Sequence, residues 1–266
     1  MTPVPAADNG ACRGEWVTLT LNHAEITMHP RFFSSQPIDT PFVELEGPEQ
    51  HHLVHALRLR EGAWVTLFDN SGWEFEAEVT ELRRNVVRLK IVARHEVDRE
   101  LPFALSLGVA LPKGERQQWL VEKAVELGVT QLVPLMTERG VAQPRDKSLQ
   151  RLRRWVIAAA KQCGRNRLMH VANPNTVEEF FHRAENNSIL VAHPCADAVS
   201  VREAVDQLAN DGNPIFLAVG PEGGFTDRDL SLAHDAHRCL VNLGSRVLRI
   251  ETAAIFLVAS VVYART

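Results

Sequence analysis

Two short stretches carry the residue types that chemistry needs. The first is Phe216-Leu217-Ala218-Val219-Gly220-Pro221-Glu222-Gly223-Gly224-Phe225-Thr226, an apolar run that passes straight into glycines. Glycines let a backbone approach a ligand closely. In open α/β sheets, ligands sit beyond the carboxyl ends of strands. The loop lacks the lysine and hydroxyl of a phosphate loop, and Pro221 and Glu222 break a dinucleotide glycine pattern. A simple turn is the competing reading. The second stretch is Leu243-Gly244-Ser245-Arg246-Val247-Leu248-Arg249-Ile250-Glu251-Thr252-Ala253-Ala254. Charges beside so apolar a helix need partners or solvent. They form either a structural Arg–Glu pair or a site where backbone holds a ligand while Arg249 and Glu251 face a substrate.

Elements must position these loops. Thr226 fits a helix N-cap, with Asp229 three residues on as a shortened capping box, and Thr252 fits the cap of the last helix. From residue 103 onward apolar strands alternate with helices. Strands are expected at 103–111, 131–135, 189–192, 215–219 and 240–243, and helices at 114–127, 148–163, 199–208, 227–236 and 252–265. Gly128 and Gly164 stop two of the helices. That alternation predicts an α/β domain with a largely parallel sheet. Before it the period is two. Segments 42–46, 64–68, 73–80 and 86–92 read as strands, with one helix over 48–57, which together suggest a small β-barrel. His95–Pro102 reads as a linker, and residues 1–27 as a weakly structured extension.

The remaining chemistry-bearing groups are fewer. Between Arg145 and Arg167 eight basic residues face one acid, Asp146, although the whole chain of 266 residues carries net charge −4. The segment is either an anion-steering stripe or a solvated helix face. His51 and His55 stand at helical spacing without a third ligand, so packing or surface roles are expected and no metal; His234 and His237 read the same way. Four scattered cysteines form no CxxC and are expected as reduced thiols. With 45% hydrophobic and 23% charged residues the chain is not of disordered composition. No apolar run reaches the roughly 18 residues of a membrane span, and no signal core opens the chain, so a cytoplasmic protein is expected.

Taken together, GPEGGFT (220–226) and LGSRVLRIETA (243–253) resemble the cofactor loops of the SPOUT methyltransferases. Within these, the chain is similar to the uridine-N3 methyltransferases of small-subunit (16S) ribosomal RNA. LPKG (111–114), EKAVELGV (122–129), Pro134-Leu135, Glu138-Arg139 and QCGRN (162–166) agree, as do His51-His52-Leu53 and LRLREG (57–62) with a PUA-like barrel. The resemblance covers about residues 28–262. Asp229 stands where the family more usually has Glu, and residues 1–27 precede the usual opening, here Arg31-Phe32-Phe33.

The resemblance implies an extension over 1–27, a PUA-like RNA-binding barrel over 28–97 and a SPOUT domain over 98–266, with a deep trefoil knot and a mostly parallel sheet. It implies S-adenosyl-L-methionine as cofactor, held by His193, Pro194, Ala218, Gly220, Glu222, Gly223, Gly224, Leu243, Gly244, Val247, Leu248 and Thr252. Arg249 would stabilise charge on the base, and Glu251 or Glu222 would accept the N3 proton or orient Arg249. Arg31, Arg58, Arg60, Arg165, Asn166 and Arg167 would contact RNA. The implied partners are 16S ribosomal RNA in the small subunit and a second copy of the chain. Competing expectations are methylation of a ribose 2′-hydroxyl, action on transfer RNA, or a non-catalytic assembly factor. A valine at Gly223 is expected to enter the ligand's space.

Overall fold

A computed structural model describes residues 29–140, 146–184, 187–208, 212–231 and 238–266. The extension over 1–27, Arg145, His234 and His237 lie outside the described residues. The chain divides into two compact units between Val97 and Asp98.

In the first unit, strands β1 (Arg31–Phe33), β2 (Phe42–Glu46), β3 (Trp64–Phe68), β4 (Trp73–Leu82) and β5 (Val86–Glu96) form one sheet in the order β1-β3-β4-β5-β2. All pairings are antiparallel except β1 with β3. Alternate residues point inward: Val87, Leu89, Ile91 and Ala93 on β5 are buried, and the first three join Leu45, Val65, Leu67, Phe75 and Val79 in one core. The expected helix over 48–57 lies one residue earlier, over 47–56, and changes pitch. It is α-helical over Gly47–His51 (α1) and π-helical over His52–Ala56. β1 escaped the sequence reading because three residues show no period. His95, read as linker, belongs to β5 and is buried.

The second unit is α/β, as the alternation predicts. Its elements are β6 (Leu105–Val109), α2 (Glu115–Glu126), β7 (Gln131–Met136), α3 (Asp146–Cys163), β8 (His170–Val171), β9 (Asn175–Thr176), α4 (Val177–Arg183), β10 (Ser188–Ala192), β11 (Val199–Ser200), α5 (Val201–Asp206), β12 (Ile215–Val219), α6 (Asp227–Ser231), β13 (Arg238–Asn242) and α7 (Ile250–Arg265). The sheet runs β11-β13-β10-β12-β6-β7-β8, with β9 beside β7, and every pairing is parallel. β6 is buried at all five positions, as a strand covered on both faces must be. Leu120, Val121, Ala124 and Val125 of α2, and Leu257, Val258 and Val261 of α7, are buried with it.

Gly128 and Gly164 end α2 and α3 with positive φ of 83° each, the conformation that glycine adopts freely. α4 went unread, although Thr176 and Glu179 form a complete capping box at its start. Thr252 lies inside α7, whose N-cap is Arg249, so the cap placed at Thr252 is corrected by one helical turn.

Candidate active site

Strand order decides where the loops meet. β10 lies between β13 and β12, and β12 lies beside β6. The carboxyl ends of these parallel strands therefore emit His193-Pro194, the 220–226 loop, the 243–249 loop and the 110–114 loop along one edge. The 220–226 loop is a tight turn. The Gly224 amide donates to the Pro221 carbonyl at 2.8 Å. The capping box at its end is complete: the Thr226 amide donates to Asp229 Oδ2 (2.9 Å), and the Asp229 amide donates to Thr226 Oγ1 (3.2 Å).

A cavity of about 400 Å³ opens between the three glycine-bearing and proline-bearing loops. That volume suits a small-molecule ligand. Ten of the expected cofactor residues line it: His193, Pro194, Gly220, Glu222, Gly223, Gly224, Leu243, Gly244, Val247 and Leu248. Ala218 and Thr252 fall outside the lining; Ala218 is fully buried within β12.

Two glycines take conformations that side chains rarely adopt. Gly224 has φ +69°, and a Cβ there would lie 4.0 Å from the His193 ring. Gly244 has φ +108° with open space around it. Gly223 behaves differently: its Cβ would meet the Arg139 side chain at 3.2 Å. Gly223 also lines the cavity, and the Cβ position shows where a side chain there would first lead. Such a side chain would press on Arg139, and Gly224 is the position that faces His193.

His193 Nδ1 is buried and has no hydrogen-bond partner. An unsatisfied buried polar atom costs on the order of 1–3 kcal/mol, so this ring edge is prepared for a ligand's polar group.

The charged residues pair differently from expectation. Arg249 is exposed and caps α7 through its backbone, and its carbonyl accepts from the Ala253 amide. Neither glutamate pairs with it. Instead Arg116 of α2 reaches both: its Nη1 lies 3.3 Å from Glu222 Oε1 and 3.8 Å from Glu251 Oε2. Both the structural Arg249–Glu251 pair and an orienting role of either glutamate toward Arg249 are replaced by these contacts. Glu222 is open, with its side chain 65% exposed, and lines the cavity; Glu251 is buried at 8% and its Oε2 accepts no hydrogen bond. Sequence reasoning missed Arg116. Its available signal was position alone, just after a strand's carboxyl end.

The proposed RNA contacts also divide. Arg58, Arg60 and Arg167 are exposed. Arg31 is not free for RNA: it pairs with Glu74 and lies over the Phe68 ring within the barrel. Arg165 and Asn166 are buried at 4% and 3% exposure. Arg165 donates to Glu100 and to the Val125 and Val129 carbonyls, both at 3.0 Å. None of these three is the exposed group that the RNA assignment expects: Arg165 and Asn166 are buried, and Arg31 is half-buried against Glu74. Lys147, Arg151, Arg153 and Arg154 of α3 keep an exposed basic face. Cys163, Cys195 and Cys239 are free thiols, and burial pushes that of Cys239 up. Among the described residues no group of three or more His, Cys, Asp or Glu could hold a metal. No described helix is long and apolar enough to cross a membrane.

A ligand cavity at the strand ends of an all-parallel α/β unit, preceded by a small β-sheet unit, agrees with the SPOUT-type methyltransferase fold and PUA-like front that comparison with known proteins shows. The model of an RNA methyltransferase domain matches residues 99–262, and that of an RNA methyltransferase PUA domain matches 45–92. The chain belongs to the RNA methyltransferase family represented by ribosomal RNA small subunit methyltransferase E. The enzyme of that name from Synechocystis is 34% identical over 79% of this chain and 69% of its own length. That from Mycobacterium tuberculosis is 32% identical over 79% and 82%. The crystal structure of the Neisseria gonorrhoeae enzyme bound to S-adenosyl methionine has 30% identity and a TM-score of 0.78, covering 88% of this chain and 96% of that one.

Proposed function

We propose that the chain methylates N3 of a uridine in small-subunit (16S) ribosomal RNA, using S-adenosyl-L-methionine. The observation that carries the cofactor is the cavity itself: a left-handed glycine, Gly224, facing an unsatisfied His193 Nδ1. The gonococcal relative binds that same cofactor by name, and the named relatives supply the RNA.

When bound, the cofactor supplies an electrophilic methyl group on a sulfonium. The chain's residues do the rest. Gly224 and Gly244 let backbone approach the ligand, and Val247 and Leu248 give it apolar contacts. N3 is a poor nucleophile until its proton leaves, so an acceptor must stand at the rim. Glu222 is the accessible carboxylate there. Arg249, exposed at the head of α7, stabilises charge on the base oxygens. N3 lies on the pairing edge, so the uridine enters unpaired.

The knot, a homodimer, the small subunit as partner and a cytoplasmic setting belong to the same proposal. Val247 lines the cavity yet is 100% exposed, which favours a second copy covering that face.

The test is methyl transfer from labelled S-adenosyl-L-methionine to small subunits lacking their modifications, followed by nucleoside analysis. Label in N3-methyluridine is expected. Label in a ribose-methylated nucleoside overturns the N3 assignment, and no label with cofactor bound overturns the small subunit as substrate, leaving another RNA or a binding role.

A further inference from the structure

A second, smaller recess of about 130 Å³ lies on the other side of the 221–223 turn. It opens at the carboxyl ends of β6, β7 and β12. Pro221, Glu222, Gly223 and Ile250 line both this recess and the larger cavity, so the turn is their common wall. Three cations from three separate elements converge on it: Lys113 from the loop after β6, Arg116 from α2 and Arg139 from the loop after β7.

Their contacts leave donors to spare. Lys113 is exposed and makes no hydrogen bond or ion pair among the described residues. Arg116 uses Nη1 alone toward Glu222 and Glu251. Arg139 Nη1 donates to the Gly223 carbonyl at 2.7 Å, which fixes its fork against the turn. Glu251 is a buried carboxylate behind Arg116, and holds that guanidinium at the recess while remaining inaccessible itself. Cations outnumber carboxylates here three to two.

We propose that this recess is an oxyanion subsite that takes an RNA phosphodiester beside the acceptor nucleotide. The inference rests on the RNA methyltransferase reading and deepens it. A phosphodiester presents two charged oxygens to forked and pointlike donors, which is the chemistry that Arg and Lys supply. A phosphate held here would fix the acceptor nucleotide against the wall that the cofactor cavity shares. The cofactor's own carboxylate has the same oxyanion chemistry. The open side chains of Lys113 and Arg116, on the face of the turn away from the cavity, favour the RNA.

The experiment uses the full chain with Lys113→Gln and Lys113→Arg. Lys113 is exposed and unpartnered, so neither change touches packing. For Lys113→Gln, KM for undermodified small subunits rises about tenfold, the loss of one charge-assisted hydrogen bond. kcat and the Kd for S-adenosyl-L-methionine stay within about twofold. The log–log salt slope of binding to unmodified 16S transcript falls by roughly 0.7, one phosphate contact. Lys113→Arg restores both. Weakened cofactor binding with unchanged KM for RNA assigns the recess to the cofactor's carboxylate and overturns the proposal. Unchanged KM, slope and cofactor Kd overturn it equally. A wild-type chain that binds the transcript but transfers no methyl refutes the methyltransferase reading, and the salt slope of Lys113→Gln still decides the recess.

Discussion

Replacing Glu100 with glutamine separates two roles for Arg165 that the sequence alone leaves merged. Arg165 is 4% exposed, and its guanidinium is held by Glu100, 65 positions away, and by the Val125 and Val129 carbonyls. These carbonyls belong to the end of α2 and the turn after it, so the contact ties three segments together. Glutamine keeps the shape and removes the charge. One of the two hydrogen bonds is then lost, because an amide NH2 cannot accept from the guanidinium, and the other is made to an uncharged oxygen, a loss of about 1 kcal/mol each. Glu100→Ala goes further, since it leaves a buried cation without its counter-charge, at about 3–5 kcal/mol. The two remaining carbonyl contacts put the expected value near the lower end. For a unit of this size, about 2 kcal/mol shifts Tm by roughly 4–8 °C. Thermal unfolding followed by circular dichroism, without RNA, reads the effect directly. Arg167→Gln is the control, because Arg167 is exposed. An RNA-contacting Arg165 would lose nothing when a neighbouring acid is neutralised, and RNA affinity would rise. Unchanged Tm in Glu100→Gln together with tighter RNA binding refutes the clamp.

Other positions give equally definite outcomes. Gly224→Val weakens S-adenosyl-L-methionine binding at least about tenfold by titration calorimetry, since φ +69° strains a β-branched residue and the side chain fills the space before His193. Gly223→Ala leaves cofactor affinity within about threefold, because its methyl meets the flexible Arg139 side chain; a larger loss shows that the methyl acts on the cavity instead. Gly108→Ala destabilises by about 1–3 kcal/mol in denaturant unfolding, as its Cβ would lie 2.7 Å from the buried Phe180 ring. Arg249→Ala keeps cofactor Kd within a few-fold and lowers kcat about a hundredfold or more, as loss of a charge-stabilising donor does; near-normal turnover removes Arg249 from the chemistry.

The strand-to-glycine passage at 219–220 was legible in sequence because a largely buried strand leaves an uninterrupted apolar run with glycine at once after it; that at 243–244 was legible from its glycine and the charged residues that follow, since β13 is mostly half-buried. Helices α2 and α3 were legible through periodic stripes, and α7 through its continuous apolar run. β1, β8 and β9 were not, since two or three residues carry no period. α4 spans Val177–Arg183, too short for a stripe to outweigh its surroundings, although its capping box stood in the sequence. The ion pairs failed for a different reason. Arg249 and Glu251 are neighbours in sequence, which made their pairing natural to expect. Helix geometry sends residues two apart to different faces. Glu251 instead meets Arg116 across the packed helices α2 and α7, and Arg116 meets Glu222 across 106 positions. No local signal encodes such a contact. The basic segment shows the same limit: Arg165 and Arg167 look alike in a charge count, yet one is a buried clamp and the other faces solvent.

The two cavities follow from sheet order rather than from any single motif. β12 has β10 on one side and β6 on the other. Its carboxyl-end loop must therefore border whatever opens above each neighbour. Toward β10 and β13 the bordering loops carry glycine, leucine and valine, which make an apolar slot. Toward β6 and β7 they carry Lys113, Arg116 and Arg139, which make a cationic one. The turn from Pro221 to Gly223 separates the two. Glu222 is the one carboxylate that lines both sides. A proton acceptor is useful only where donor and acceptor meet, and that position on the shared wall is the physical ground for preferring Glu222 over the buried Glu251.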